Sequence, residues 1–170
     1  MEQEPIIITA GGDGVEPIAI RWAFSISLFF RDRIRIASAY GGEHTHRSYV
    51  APIGGEVWGP RLQGRVVPCS GADYGHSRGF EAHYMLQASD GALIYIRNRG
   101  LMRRFDPQTG DALAPTAPNP QTPILRTMRL TPIFDAPEGP HEWMNRTVFV
   151  GHGHRYPDPD HSVFTYYEVL

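Results

Sequence analysis

The sequence predicts an all-β fold: an antiparallel closed β-barrel, mostly an up-and-down meander, with one long proline-rich loop. Three observations predict it. Apolar and polar residues alternate with period two in several short segments, Gly and Pro punctuate those segments, and no segment sustains a 3.6-residue period. Closure is preferred to a sandwich because consecutive hairpins make a meander and a closed sheet has no exposed edges. At 170 residues the chain is expected to form one domain, 1–170, able to bury a core unaided.

Pro5 to Ala10 reads as a short first strand, ended by Gly11-Gly12-Asp13-Gly14. Ile20, Trp22, Phe24, Ile26 and Leu28 then alternate with Arg21, Ala23, Ser25 and Ser27, which predicts a strand with one buried face. Arg33 to Tyr40 continues in the same style. Arg47 to Val50 and Glu56 to Trp58 flank Pro52 and Gly54-Gly55, the mark of a bent or bulged strand. Arg61 to Val67 follows, and Pro68 to Gly79 reads as a loop of small and polar residues.

Phe80 to Gly100 is the clearest hairpin. Asp90-Gly91 is a pair suited to φ > 0 at both centres of a type I′ turn, and a two-residue loop between Ser89 and Ala92 sets Met85 opposite Ile96, Tyr84 opposite Arg97 and His83 opposite Asn98. On that register Glu81, His83 and Asn98 share one face beside a Met85/Ile96 floor. Leu101 to Pro123 contains Pro107, Pro115, Pro118, Pro120 and Pro123, so it is expected to be an irregular loop and a lid over the barrel mouth. Ile124 to Ile133 and Trp143 to Val150 read as strands. Ser162 to Leu170 closes the fold, with Val163, Thr165, Tyr167 and Val169 on one face and Phe164, Tyr166, Glu168 and Leu170 on the other.

Composition narrows the function. A net charge of −2 and 20 % charged residues offer no electrostatic case for nucleic acid or an anionic membrane. There is no lysine, which removes Schiff-base chemistry and leaves guanidinium as the fixed cation. The single cysteine, Cys69, rules out an internal disulfide and a thiolate zinc cluster. The acidic start and the short apolar run after it do not resemble a signal peptide, and no stretch approaches the ~20 apolar residues of a membrane helix. The expected location is the cytoplasm. Nucleophile elbow, phosphate-loop and dinucleotide motifs are absent, and no cofactor is expected.

Several strings together resemble one family. Gly55-Glu56-Val57-Trp58-Gly59-Pro60-Arg61-Leu62-Gln63-Gly64 is similar to a GG-x-V-x-GP-x-L-x-G signature, and Asp90 to Gly100 to a DGA-x-IYV-x-NRG block. Trp143-Met144-Asn145-Arg146, Phe149-Val150-Gly151-His152-Gly153-His154-Arg155 and the closing Tyr167-Glu168-Val169 are similar to its WLNR, FVG-x-G-x-R and YEV strings. This is the pattern of the domain of unknown function 3237 family, and the resemblance runs from about Trp22 to the C-terminus. It implies a small single-domain β-barrel with a polar-lined pocket. Where the family pattern reads D-A-R-Y, this chain has Glu81-Ala82-His83-Tyr84, exchanging a permanent cation for a group that titrates near neutrality. The resemblance also singles out Asp73, which matches the family's acid.

The expected catalytic set is therefore Glu81, His83, Asn98 and Asp73. His83 would move a proton, Glu81 or Asp73 would tune it, and Asn98 would hold a developing oxyanion. Trp58, Trp143, Asn145, Arg99 and Arg129 are the substrate-binding candidates, since aromatic walls with a few polar groups suit a small organic ligand. The ordinary alternative is that the tryptophans simply pack and that Arg99 pairs across strands on the outer face. His44/His46 and His152/His154 carry metal-ligand spacing, and Glu43, Asp158, Asp160 and His161 are available, but the spacing is unspecific and a third ligand has to be assumed, so no metal site is assigned. The function expected is a cofactor-free isomerase, cyclase or lyase of secondary metabolism, acting on a small, largely apolar metabolite. A non-catalytic binding protein is the second reading and a metal-dependent hydrolase or lyase the third. The expected partner is a small organic molecule, with a homodimer through the outer strand faces the one macromolecular partner considered.

Overall fold

The computed structural model describes residues 4–8, 14, 16–37, 46–76, 79–105, 112–113 and 125–170. Among these the strands are β1 (Ile6–Ile8), β2 (Ile18–Phe30), β3 (Ile34–Ala37), β4 (His46–Val50), β5 (Pro52–Gly54), β6 (Glu56–Trp58) and β7 (Gly64–Val66). They continue with β8 (Ala72–His76), β9 (Gly79–Ala88), β10 (Leu93–Phe105), β11 (Ala112–Leu113), β12 (Leu125–Asp135), β13 (Phe149–Pro157) and β14 (Asp160–Val169). Eight of them close an antiparallel barrel in the order β2-β6-β7-β9-β10-β12-β13-β14 and back to β2. At the other end of β9, β8 replaces β7 as its neighbour, and β4 pairs with β8 while β5 pairs with β2. The chain between His46 and Trp58 is thus the bent strand that Pro52 and the paired glycines announced.

Alternation places the core. Phe24, Ile26, Leu28, Leu86, Ile94, Ile96, Leu130, Phe134, Phe149 and Phe164 are buried inside the barrel. On β13 the inward positions include Gly151 and Gly153, where a Cβ would come within 2.9 Å of the Tyr166 ring and 2.3 Å of the Phe164 ring. The glycines exist to admit those rings. Arg155 follows at the same parity. The short 3-10 helix Glu142–Arg146 lies at one end, with Met144 buried and Trp143 against Phe149.

Five expectations change. Ala72–His76, expected within the loop from Pro68 to Gly79, is strand β8 because it pairs with β9 on one side and β4 on the other. The β9–β10 hairpin has a three-residue loop: Ala88 N–H donates to Ala92 O at 2.9 Å, and the positive φ falls on Gly91. Asp90 does not adopt positive φ; its carboxylate accepts from Ala92 N–H at 3.0 Å instead. This shifts the pairing by one, so that Asn98 lies opposite Ala82, Arg97 opposite His83 and Arg99 opposite Glu81. In β2 the pairing with β14 is irregular around Ala23: Phe24 lies opposite Tyr166 but Trp22 lies opposite Tyr167. One extra residue puts Trp22 and Phe24 on opposite faces despite their shared parity. Gly59 is fitted there, with its hypothetical Cβ 2.4 Å from Phe24 Cα.

Leu101–Phe105, expected within the irregular loop, extends β10 because β12 reaches back to Leu125 and pairs with it. Ala112–Leu113 also pairs with β10, while the rest of the proline-rich stretch, and with it the lid, falls outside the described residues. Finally, Trp143–Arg146 is helical rather than strand. Its Thr147 hydroxyl donates to Trp143 O at 2.8 Å, and Arg146 pairs with Glu142 one turn earlier. Among the described residues, no helix is long and apolar enough to cross a membrane.

Candidate functional site

Asp73 is the second residue of β8, opposite Ala82 on β9 and Val50 on β4, both inward positions. Its side chain therefore enters the barrel, with only 8 % of the residue exposed. It lines a recess of about 30 Å³ together with Arg33, Arg155, Ser48 and Ser162. The remaining walls are Val50, Gly75, Phe80, Met102 and Met128. Gly75 gives Ser48 its place, since a Cβ there would stand 2.2 Å from the Ser48 hydroxyl.

Burial raises the Asp73 carboxyl to a pKa of about 7, with Arg155 and then Arg33 pulling it partly back. Desolvation outweighs two guanidinium groups because a charge in a dry pocket loses more hydration than nearby, partly solvated cations restore. Among the described residues, Asp73 Oδ1 has no hydrogen-bond partner. Arg155 is anchored by a bidentate pair with Asp160, Nε to Oδ1 at 2.7 Å and Nη2 to Oδ2 at 2.5 Å, and lies over the Phe30 ring. Burial, then Arg155 and Arg35, lowers the Arg33 pKa from its ordinary high value.

A second polar group occupies the barrel interior. Asn98 is fully buried and donates from Nδ2 to Tyr166 Oη at 3.0 Å. The Tyr84 hydroxyl faces Tyr166 and Asn98 without a hydrogen bond of regular geometry, and Asn98 Oδ1 is likewise unpartnered. Burial pushes both phenols well above their ordinary value, and the Asp73 carboxylate adds to that push. Both are hydroxyl donors at any physiological pH. Asp73, Tyr84, Tyr166 and Asn98 thus form a polar seam inside the barrel.

The one-residue shift of the hairpin divides the expected catalytic set. Asp73 and Asn98 lie inside, whereas Glu81 and His83 lie on the outer face. There His83 Nε2 meets Glu81 Oε1 at 3.3 Å and Nδ1 meets the Tyr95 hydroxyl, in a half-exposed surface chain. The expected Glu81–His83–Asn98 cluster does not exist.

None of the expected substrate-binding residues lines the recess. Trp58 pairs with outward Ser25, and Arg99 is exposed opposite Glu81 and Thr131. Arg129 is exposed opposite His152. Trp143 belongs to the other end, under the Arg61 guanidinium at 3.8 Å. Asn145 clamps the chain, accepting from Ala136 N–H at 2.7 Å and donating to Ala136 O at 2.9 Å. Among the described residues no three His, Cys, Asp or Glu side chains come together, and His44 falls outside them.

Arg155, Arg33, Tyr84 and Tyr166 were not singled out by sequence. Parity was the available signal for three of them. Arg155 shares the face of Gly151 and Gly153, Tyr166 that of Phe164, and Tyr84 that of Leu86. Arg33 follows β2 and carried no such signal.

An antiparallel barrel with an acid-and-arginine recess at one end defines the class: a small closed barrel with a polar-lined pocket. The chain belongs to the family described as protein of unknown function (DUF3237), whose pattern matches residues 18–169. It is 31 % identical over 124 residues to a UPF0311 protein of Rhodopseudomonas palustris, covering 66 % of this chain and 74 % of that protein. In fold it is similar to a Clostridium acetobutylicum protein of unknown function, with a TM-score of 0.73 and 24 % identity, covering 92 % of this chain and 100 % of the other. An enzyme from Penicillium herquei shares the fold, with a TM-score of 0.62 and 17 % identity over 94 % of this chain and 99 % of the other.

Proposed function

We propose that this barrel is a cofactor-free enzyme that moves a proton on a small, largely apolar organic molecule, in an isomerisation, cyclisation or elimination. One observation carries the reading: a buried carboxyl whose pKa of about 7 suits both proton acceptance and donation, with an unpartnered oxygen in a recess. A general base works best when its pKa lies near the operating pH, and burial supplies that tuning here. In this reading Asp73 takes a proton from a carbon next to a carbonyl, the C–H electron pair moves into the carbonyl as an enolate, and Asp73 returns the proton. The Ser48 and Ser162 hydroxyls are the donors available to the enolate oxygen, and Met102 is the partly exposed apolar wall beside the rest of the molecule. The fold shared with the Penicillium herquei enzyme is compatible with this role.

The test is deuterium wash-in from D2O into a panel of small carbonyl compounds, followed by proton NMR. General acid–base catalysis contributes about 10²–10⁴-fold, so Asp73→Asn slows exchange by at least about 100-fold. His83→Ala, on the outer face, leaves it unchanged. Wild-type exchange rates in Asp73→Asn refute the assignment.

A further inference from the structure

The charges around the recess do not balance. Arg33 and Arg155 both line it, and Arg155 is close enough to depress the basicity of Arg33. Two guanidinium groups held together in a half-dry site repel unless an anion lies between them. Asp160 pairs directly with Arg155, which it grips from the rim with its carboxylate 47 % exposed, and reaches Arg33 only through its field. Asp73 faces both arginines but, with burial raising its pKa to about 7, it offsets them only in part at neutral pH. Among the described residues, then, the mouth carries an excess positive charge in a chain whose net charge is −2.

The recess also limits what can sit there. A volume of about 30 Å³ corresponds to about two or three water-sized positions. That admits the two oxygens of a carboxylate, or a single acidic enol, but not a whole metabolite. Unpartnered Asp73 Oδ1 and the Ser48 and Ser162 hydroxyls line the same space. Arginine forks and serine hydroxyls are donors, and a neutral carboxyl is a donor too.

Resting on the proton-transfer reading of the same site, we propose that the substrate is a small organic acid whose negatively charged oxygens are held by Arg33 and Arg155, its reacting C–H beside Asp73. The remainder of the molecule then leaves the recess past Met102, the partly exposed one of its apolar walls. Binding such an anion is linked to the protonation of Asp73. Once Asp73 ionises it cancels one arginine, so affinity falls as pH rises through about 7. Every charged or titratable neighbour that acts on Asp73 belongs to this balance: Arg33 beyond β2, Arg155 on β13 with Asp160 behind it, and Tyr84 and Tyr166 beneath, both neutral.

The probes are propionate and its uncharged isostere propionamide, titrated by heteronuclear NMR into the whole chain. Propionate is expected to shift the Ser48, Asp73 and Ser162 resonances, with propionamide at least tenfold weaker. Arg33→Gln is expected to weaken propionate at least tenfold and Arg33→Lys less. The pH dependence near 7 is expected to vanish in Asp73→Asn, which still binds. Equal binding of propionate and propionamide, or Arg33→Gln without effect, overturns the anion proposal and leaves proton transfer by Asp73 standing. Wild-type deuterium exchange in Asp73→Asn, with propionate still bound at the arginines, overturns the catalytic reading and leaves the anion site standing. No shift at the recess with either probe likewise overturns the anion proposal, and deuterium exchange in Asp73→Asn then decides the catalytic reading alone.

Discussion

Replacing Asp73 by Asn keeps the size of the side chain and removes a carboxyl that is costly to ionise where it sits. In the unfolded chain that group titrates near 3.8; in the barrel it titrates near 7. Between those values the unfolded chain has lost the proton and the folded chain keeps it. Wild-type stability therefore falls as pH rises from about 4 to about 7 and levels off above, the opposite of a salt-bridged carboxylate. At about 1.4 kcal/mol per pH unit the full loss is about 4 kcal/mol. For a chain of this size that corresponds to about 10 °C in Tm. Asp73→Asn removes the effect, so the two proteins should melt at similar temperatures near pH 4 and separate by about this amount at pH 8, the variant being the more stable. Thermal melts followed by circular dichroism from pH 4 to 9 give the difference curve directly. A difference that stays flat across that range, or that is complete below pH 5, refutes the buried-acid argument.

The other predictions concern groups around the site. Tyr84→Phe deletes a buried hydroxyl without a regular partner, so urea unfolding should show unchanged stability or a gain of about 1 kcal/mol. Glu168→Gln should cost about 2 kcal/mol by the same measurement. Its carboxylate is buried and bonds Arg21 at 2.8 Å and Arg61 at 2.8 Å, but both arginines are partly solvated, which tempers the loss. Asn145→Ala breaks both bonds to Ala136 and should cost about 1–3 kcal/mol while leaving propionate binding intact, because the clamp sits at the far end of the barrel.

What could be read in advance follows the range of the interactions involved. The alternation of β14 correctly grouped Phe164, Tyr166 and Glu168 on one face, which the structure buries, because that strand alternates without interruption along its pairing with β13. The same rule failed at Trp22, where one extra residue at Ala23 reversed the face, and no local signal marks that insertion. The hairpin was recognised, yet a loop of three residues rather than two separated His83 from Asn98. Asp-Gly is compatible with both loops, and the Asp90 carboxylate bond to Ala92 N–H favours the longer one. Asp73 was singled out by family resemblance and Asn98 by its motif, but they meet through a barrel interior that joins β8 to β10 across β9. Arg33 and Arg155 lie far apart in sequence and become neighbours only when the barrel closes. Sites assembled from inward parity on distant strands are visible in the sequence as separate residues, not as a constellation.

The central claim is that the barrel holds one carboxyl near neutrality. It is tested most directly by titrating the chain labelled with ¹³C at the aspartate side-chain carboxyls, with the Asp73 resonance assigned by its loss in Asp73→Asn. The account predicts a midpoint for that resonance near 7. A midpoint near the ordinary 3.8 would contradict it.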